Sequence, residues 1–575
     1  MRWRTLAPIP LVLLTVALAL LQCGGWDGTM NGDGVSYLDL AAQYARGDLS
    51  ALANGYWSPL YPMLIGGALR LTGIGGPTAD AQLLTPELRV VFAVNVVVMA
   101  MAALAFVRLL HALHRASPAS SRAVTACRAI AASALFVWCA IRFIGTTSVT
   151  PDALLTTWLL LLTAELVAAA SGAPSRSRTV RVAVLLAAGY WTKAVFFPVA
   201  LVVLPIYLLL ALRGTTLRAD RRAHLVRALV PALALVAPLV LVQSVTQQRL
   251  SFGETGRLNY RWYVLGAPHA PPSLAPERVA MSAAPVTLAL DTAPGTLLFR
   301  GDVAGSFPYW YDPSRFEPRA PLAFSARAQW TQIAYNAHWY RVVATPFAVL
   351  VLVAFAASLA RSRSRLGTSM LVVALPVLAL TTLYALTHVE GRLAVPPMLV
   401  LFVLMLYPLS ARTRIGVEPE HADTHAATWR RACTVVQCTA LIALTVLAVG
   451  RTAKRVPTSA IAAPAARRAG PAAELRASGV TAGSSLGIVG SPYGHYWAHE
   501  ARLRLAAVTT TDGRRTPVSD AELDAIAGES CAHGAPLAAI VGARAADVQS
   551  ARAMQLTSGW WLWRPATPCP AARTL

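Results

Sequence analysis

Long apolar segments, separated by short arginine-containing gaps, occupy most of the first 450 residues. A helix needs about 20 mainly apolar residues to cross a bilayer, so this pattern predicts an α-helical polytopic membrane protein. The predicted spans are Leu6–Leu21, Leu88–Leu110, Val124–Ile144, Ala153–Ala170, Val182–Leu212, Leu225–Val245, Val342–Ala360, Ser369–Leu386, Leu393–Leu409 and Cys433–Val449.

One of these segments, Val182–Leu212, is too long for a single crossing. Three arginines lie between positions 176 and 181, and five more lie between 213 and 227. Basic loops remain on the cytoplasmic side of a membrane, so both flanks should lie inside. The segment is therefore predicted to cross twice, with its turn near Tyr190–Lys193. This gives about eleven spans, with the N-terminus inside and the C-terminus outside.

The first apolar segment follows the basic stretch Met1–Arg4 and could be a cleaved signal peptide. Gln22 before Cys23 is a poor cleavage residue, and many spans follow. We therefore predict a retained first span.

Composition and charge also indicate a membrane protein. The chain has 575 residues, of which 56% are hydrophobic and 13% charged, and its mean hydropathy is +0.52. Soluble globular chains carry roughly 25% charged residues. The net charge of +23 comes from arginines in the gaps between spans, which suits anionic lipid headgroups. We therefore predict that the protein contacts membrane lipids and does not bind nucleic acid.

Three stretches are predicted to lie outside: residues 23–87, 247–340 and 451–575. The first two are loops of a membrane domain covering residues 1–450. The third is predicted to be a small α/β domain. Its strands are Ser485–Gly490, Leu503–Thr509 and Leu537–Val541, which alternate with helices Ala472–Ser478 and Asp520–Ile526. Cys531 and Cys569, the only cysteines of this stretch, are either a disulfide or two buried thiols.

The first outer loop contains candidate chemistry. Tyr37, Leu40, Ala41 and Tyr44 have helical spacing and predict an amphipathic helix at the membrane surface. Asp33 comes just before it and is either its N-cap or a catalytic carboxylate. Further along the loop, Tyr56, Trp57 and Tyr61, with Pro59 and Pro62, predict an aromatic belt that enters a second interfacial helix.

The other candidates lie at predicted outer turns, and each has two interpretations. Asp152 is an N-cap or a site residue, and Lys193 is a snorkelling side chain or a phosphate ligand. Glu390 and Arg392 pair to pin a turn or bind substrate, and His388 is an interfacial histidine or a substrate contact. Arg257, Tyr260 and the aromatic residues of Phe307–Asp312 stack on a sugar or form the core of a loop.

The order of these segments resembles the type C glycosyltransferase superfamily, which includes protein mannosyltransferases and aminoarabinose transferases of lipid A. After the acidic first loop come TSVTPDALLTTW (Thr147–Trp158), GYWTKAVFFP (Gly189–Pro198) and HVEGRLAVPP (His388–Pro397). They are similar to an outer turn, a Gly-x-x-x-Lys turn and a Glu-x-Arg-Tyr-x-x-Pro motif of that group. Two positions depart from it: Gly34 stands where several members have a second acid, and Leu393 where they have Tyr.

The resemblance implies transfer of a sugar from a polyprenyl-phosphate donor to a hydroxyl on a glycan, lipid or protein. The reaction is expected to invert the anomeric centre of the sugar. It is expected to take place at the outer face of a bacterial inner membrane. It implies Asp33 as the base, or as a ligand of Mg²⁺ or Mn²⁺, and Lys193 and Arg392 as phosphate partners. The other predicted substrate-binding residues are Glu390, His388, Asp152, Tyr37, Trp57, Arg257 and Tyr260.

Two other functions remain open from the sequence. One is a transporter or flippase of lipid-linked sugar, which would carry charged residues within its spans. The other is an inactive protein that binds such a lipid. Because the ionisable residues gather at outer turns and in outer loops, an interfacial enzyme is the preferred prediction.

Overall fold

The structure is a computed structural model of the full chain. It describes residues 8–26, 30–74, 86–117, 120–171, 175–212, 218–267, 287–289, 293, 295–299, 308–315, 322–362, 368–409, 424–454, 471–491, 495–510, 516–542, 544, 547–566 and 569.

Helices dominate the first 454 residues, as the apolar pattern predicts. By length and composition, seven of the described helices could cross a membrane, and four shorter helices are also apolar. Those before the middle of the chain are α1 Pro8–Gly24, α2 Gly32–Ala45, α3 Leu60–Leu71, α4 Glu87–Ala116, α5 Arg122–Cys139, α6 Asp152–Ser171, α7 Arg176–Thr192, α8 Phe196–Leu212, α9 Arg218–Gln247 and α10 Thr255–Asn259.

The later helices complete the membrane part and supply the soluble part. They are α11 Pro308–Tyr311, α12 Ala326–Ser362, α13 Thr368–Leu386, α14 Gly391–Leu406, α15 Thr424–Ala453, α16 Ala472–Ala477, α17 Tyr496–Glu500 and α18 Asp520–Ala532. Two π-helical segments, Ala140–Ile144 and Tyr260–Val264, continue α5 and α10, and short 3₁₀ helices cover Leu49–Ala53 and Pro313–Arg315.

The predicted break in the overlong apolar run is confirmed. Helix α7 ends at Thr192 and α8 begins at Phe196, so the turn lies a few residues later than expected. The predicted amphipathic helix of the first loop is also present as α2. Its face at Tyr37, Leu40 and Ala41 is buried, and α3, which packs against α2, is the predicted second helix.

A seven-stranded sheet forms the soluble part, with strand order β1-β2-β4-β3-β6-β9-β8. Its central strand β3 is parallel to β4 and β6, while β2 and β9 pair antiparallel at the flanks. The strands are β1 Thr287–Ala289, β2 Thr296–Phe299, β3 Ser485–Val489, β4 Arg504–Thr509, β6 Leu537–Gly542, β8 Met554–Gln555 and β9 Trp561–Trp563; β5 Val518–Ser519 and β7 Val548–Gln549 pair separately.

The three predicted strands and both predicted helices of this α/β part are therefore confirmed. Strands β1 and β2, however, come from the second outer loop and add to the same sheet. Such long-range pairing leaves no local sequence pattern. The division of the chain at residue 451 remains a prediction.

Cys531 and Cys569 form a disulfide, with their Cα atoms 5.8 Å apart, so the open question about these thiols is answered. The bond closes a loop with a sequence separation of 38. Chain-entropy arguments assign such a loop about 4 kcal/mol of stabilisation.

We expect Cys531→Ser to lower the free energy of unfolding of the C-terminal part by roughly 2–4 kcal/mol. Urea unfolding of the full chain, followed by hydrogen exchange at Leu537–Gly542, would measure this loss. The matched control is Cys438→Ser, since Cys438 is a free cysteine. A Cys531→Ser curve that coincides with that of the control would contradict the prediction.

Candidate functional site

A cavity of about 330 Å³ lies where the first loop and the second loop meet the ends of helices α6, α7, α8, α13 and α14. It combines carboxylates, cations and aromatic rings. Its lining includes Asp33, Tyr37, Tyr56, Trp57, Asp152, Lys193, Asn259, Tyr263, Trp310, Tyr384, His388, Glu390, Arg392 and Leu393.

Asp33 lies in the first turn of α2 and borders this cavity. It is not the N-cap, because α2 begins one residue earlier, at Gly32. The cap is Asn31, whose Oδ1 accepts a hydrogen bond from Gly34 N at 2.9 Å. The N-cap interpretation of Asp33 is therefore wrong. Instead, its Oδ2 accepts a hydrogen bond from Arg392 Nη2 at 2.6 Å.

Arg392 is the second residue of α14 and is the centre of the charged cluster. Its Nε donates to Glu390 Oε2 at 2.9 Å, and its Nη1 lies 3.8 Å from Asp152 Oδ2. The predicted Glu390–Arg392 pair is present, and the same guanidinium also reaches Asp33. A Cβ on the intervening Gly391 would lie 2.5 Å from Phe143 Cδ1, so glycine lets this turn pack closely.

Lys193 and Asp152 form the second ion pair of the cavity. Lys193 follows the last residue of α7, and its Nζ donates to Asp152 Oδ1 at 2.9 Å. Asp152 is the first residue of α6, and its side chain is only 1% exposed. Asp152 thus holds a cation at the cavity wall, and Lys193 points into the protein rather than along a lipid surface.

The Gly-x-x-x-Lys turn depends on the absence of a side chain at Gly189. A Cβ there would lie 2.0 Å from Phe196 Cδ1, on the first residue of α8. The ring of Phe196 is fully buried. This contact sets the geometry of the turn between α7 and α8, and therefore the position of Lys193.

We expect Gly189→Ala to destabilise the protein by roughly 1–3 kcal/mol, since an added methyl group must displace a buried ring. Thermal unfolding in detergent would measure the shift. Gly67→Ala is the control, because Gly67 lies in helix α3 with open space around its Cα. Equal unfolding temperatures for the two variants would show that this contact has no such effect.

His388 extends the charged cluster toward the second loop. Its Nε2 lies 3.1 Å from Glu390 Oε1, and its ring stacks on Tyr263 with centroids 3.7 Å apart. The hydrogen bond from His388 and the charge of Arg392 lower the pKa of Glu390 to about 2, against the opposing effect of burial. Glu390 is therefore a carboxylate at neutral pH.

Aromatic rings also line the cavity. Tyr37 and Trp57 meet edge to face with centroids 5.0 Å apart, and Trp57 meets Trp310 at 5.8 Å. The indole Nε1 of Trp57 donates to the Trp310 carbonyl at 3.0 Å. Predicted as a membrane belt, this segment is folded inward, where its rings could face a sugar.

Two of the predicted residues, Arg257 and Tyr260, are not among the residues that line the cavity. Arg257 Nε instead pairs with Glu254 Oε2 at 2.7 Å. Their neighbours Asn259 and Tyr263 line the cavity in their place. The chain changes from α- to π-helix at Tyr260, and this wider turn alters which side chains share a face.

Sequence reasoning also missed Tyr263 and Tyr384. Tyr384 lies near the end of α13, within an apolar span, where an aromatic residue cannot be distinguished from a packing residue. For Tyr263, the signal was the aromatic-rich segment after Phe252, but its register is set by the π-helix.

The residues around Asp33 do not fit a divalent metal ion. Its carboxylate is already 2.6 Å from a guanidinium, and a nearby fixed cation opposes a second one. Among the described ranges of the chain, no group of three His, Cys, Asp or Glu side chains could hold a metal ion.

The chain matches no protein-family model and no curated protein. Similar solved structures include ArnT from Cupriavidus metallidurans in the apo state, with 15% identity, a TM-score of 0.49 and 93% of both chains covered. The same protein bound to undecaprenyl phosphate has 15% identity and a TM-score of 0.47, covering 92% of this chain and 93% of that one. The apo Archaeoglobus fulgidus oligosaccharyltransferase has 9% identity and a TM-score of 0.43, covering 94% of this chain and 70% of that one.

Identities of 9 to 15% and TM-scores below 0.5 do not carry a function from one protein to another. The function of this chain therefore rests on its own residues.

Proposed function

We propose that this protein is an integral membrane glycosyltransferase of the type C kind. It transfers a sugar from a polyprenyl-phosphate donor to an acceptor hydroxyl. One observation carries the proposal: Asp33, Lys193 and Arg392, which are far apart in sequence, border a single cavity. A base and two cations beside an aromatic wall are what such a transfer requires.

The two cations are suited to the departing lipid phosphate. Lys193 and Arg392 are 23% and 21% exposed, respectively, so a ligand in the cavity can reach both. Each now pairs with carboxylates, and a phosphate would compete for those contacts. Cations already in position stabilise developing negative charge without further reorganisation.

Asp33 is suited to the role of base. Its carboxylate takes the proton from the acceptor hydroxyl, whose oxygen then bonds to the anomeric carbon. The bond from that carbon to the phosphate oxygen breaks, and its electron pair leaves with the polyprenyl phosphate. Attack opposite the leaving group inverts the anomeric centre. Entry of the phosphate draws Arg392 from Asp33 and leaves that carboxylate free to accept the proton.

A narrow apolar crevice adjoins the charged cluster. Its lining includes Asp152 and Arg392 as well as Leu155, Leu159 and Leu380. Its residues come from α6, α13 and α14. Its volume of about 10 Å³ leaves room for no more than a water molecule, so the donor lipid is expected to reach Arg392 through the larger cavity.

The charge distribution supports an outer-face site in a bacterial inner membrane. Helix α7 begins with Arg176, Arg178 and Arg181 and ends next to Lys193 at the cavity. Arginine-rich helix ends mark the cytoplasmic side, so the cavity, and the C-terminal domain with it, lies on the other side. The N-terminus is then cytoplasmic.

Transfer in detergent separates this proposal from a flippase. The purified protein, mixed with lipid-linked sugars from a strain that lacks it, is expected to release polyprenyl phosphate and glycosylate an acceptor extract. A flippase cannot act in micelles, which have no leaflets. Mass analysis of the deletion strain should show an accumulated polyprenyl-phospho-sugar and a glycan that lacks one residue.

Failure to transfer, with donor lipid still bound, would favour an inactive lipid-sugar-binding protein. Failure to transfer together with donor movement across reconstituted bilayers would favour the flippase. Either result would overturn the proposed function.

A further inference from the structure

His499 joins the C-terminal part of the protein to the helix that carries Asp33. It lies in the short helix α17, and its two ring nitrogens contact two carboxylates from elsewhere in the chain. Nδ1 is 2.6 Å from Asp39 Oδ1, on α2, and Nε2 is 2.9 Å from Glu87 Oε2, at the start of α4. None of the three side chains is more than 4% exposed.

These contacts require a protonated imidazole. Each ring nitrogen faces a carboxylate oxygen, so each must carry a hydrogen to donate. Burial opposes the charge, but Glu87 and Asp39 outweigh it and raise the pKa of His499 to about 10. The ring of Tyr496 lies nearby, with its centroid 6.1 Å away. Removal of the imidazolium would leave two buried carboxylates without this cation, which is strongly destabilising.

The contact at Asp39 is transmitted along α2. Asp33 and Asp39 lie on the same 14-residue helix, and every residue from Gly34 to Ala41 is buried. A helix packed in this way moves as one body, since its backbone hydrogen bonds and side-chain contacts must shift together. The position of Asp39 therefore influences the position of Asp33, about two turns away.

We propose that His499 is a positioning residue for sugar transfer, holding α2 so that Asp33 faces Arg392 and the acceptor. The C-terminal domain thus contributes to the geometry of the site through His499. This inference rests on the proposed function. It predicts an effect on the base more than on donor binding, because Lys193 and Arg392 lie on other elements.

The test compares His499→Gln with His495→Gln in the full-length protein. His495 is four residues away, and its contacts are with Ser491, Trp497 and Trp560 within the C-terminal part. In His499→Gln, amide exchange over Gly32–Ala45 is expected to accelerate at least tenfold, and kcat to fall by ten- to a hundredfold. The KM for the lipid donor should change less than threefold. His495→Gln should match the wild type in all three.

Asp39→Asn provides a second variant in case His499→Gln does not fold. Asn keeps an oxygen acceptor for Nδ1, and Glu87 still pairs with Nε2. We expect a several-fold loss of kcat at unchanged donor KM, with intermediate exchange rates over α2.

Wild-type exchange over α2 and wild-type kcat in folded His499→Gln and Asp39→Asn would overturn the positioning role and leave the proposed function standing. Equal rises in donor KM and losses of kcat in these variants would also overturn it, since they indicate general loosening of the site. If the wild-type protein transfers no sugar, the proposed function fails, and the exchange comparison still decides whether His499 holds α2.

Discussion

Replacement of Asp33 by Asn is expected to lower kcat by roughly 10²–10⁴-fold, the usual contribution of a positioned base. Asn has nearly the same shape but cannot accept the proton of the acceptor hydroxyl. It also gives up the ion pair with Arg392, whose Nη2 lies 2.6 Å from Asp33 Oδ2. The freed guanidinium should hold the donor phosphate at least as well as before. We therefore expect unchanged or tighter donor binding together with lost turnover.

The measurements are single-turnover transfer and binding of undecaprenyl phosphate to the purified protein. Asp48→Asn is the control, since Asp48 belongs to the same loop, caps the turn at Ser50 and is exposed. It should retain wild-type kcat. Near-normal turnover of Asp33→Asn would remove Asp33 from the chemistry and leave it a structural partner of Arg392.

Replacement of Arg392 by Gln is expected to lower kcat by roughly 10²–10³-fold, the scale found when one group stabilising transition-state charge is removed. Binding of undecaprenyl phosphate should weaken at least tenfold, because the guanidinium contributes in both the bound and the reacting state. Arg392 also lies among Asp33, Glu390 and Asp152. Its loss leaves these carboxylates to repel one another, which further opposes an incoming anion.

Arg46→Gln provides the comparison, since Arg46 follows α2 and is exposed. Arg392→Lys adds a second test, because lysine keeps the charge and loses the planar fork. We expect it to recover donor binding better than turnover. If Arg392→Gln bound the lipid phosphate and turned over as Arg46→Gln does, the phosphate role would belong to Lys193 alone.

Because Asp33 and Arg392 form an ion pair, we expect proton transfer to Asp33 to require that the donor bind first. In the structure, the proposed base and one phosphate ligand neutralise each other. The carboxylate oxygen that the guanidinium contacts is not free to accept the proton of the acceptor hydroxyl. Donor phosphate would relieve this pairing. We therefore expect the acceptor hydroxyl to lose its proton only after the donor lipid has bound.

Local patterns were sufficient for the helices and for most of the α/β part. The break before Lys193 followed from the charges that flank an overlong apolar run, and α7 and α8 confirm it. The strands at Ser485, Leu503 and Leu537 followed from short apolar runs with turn residues between them. These signals lie within a few residues of each other, where spacing and solvent preference act directly on the backbone.

Local sequence patterns did not predict contacts between residues that are far apart along the chain. Nothing around residues 287–299 indicated that β2 pairs with β4, some 200 residues later. Arg257 and Tyr260 were expected at the site, and the π-helix after Asn259 turned their neighbours toward it instead. His499 was not singled out at all, since the sequence around it contains neither of its partners.

The sequence by itself determined a membrane-embedded helical protein with a small α/β part, and it predicted that one acid, one lysine and one arginine lie at outer turns. Hydrophobic periodicity and loop charge are local quantities, so one chain suffices to evaluate them. Only the tertiary structure decided that Asp33 pairs with Arg392, that Lys193 pairs with Asp152, and that His499 ties a distant domain to the helix of Asp33. Those pairings depend on how helices pack in three dimensions, and packing is set by the whole chain at once.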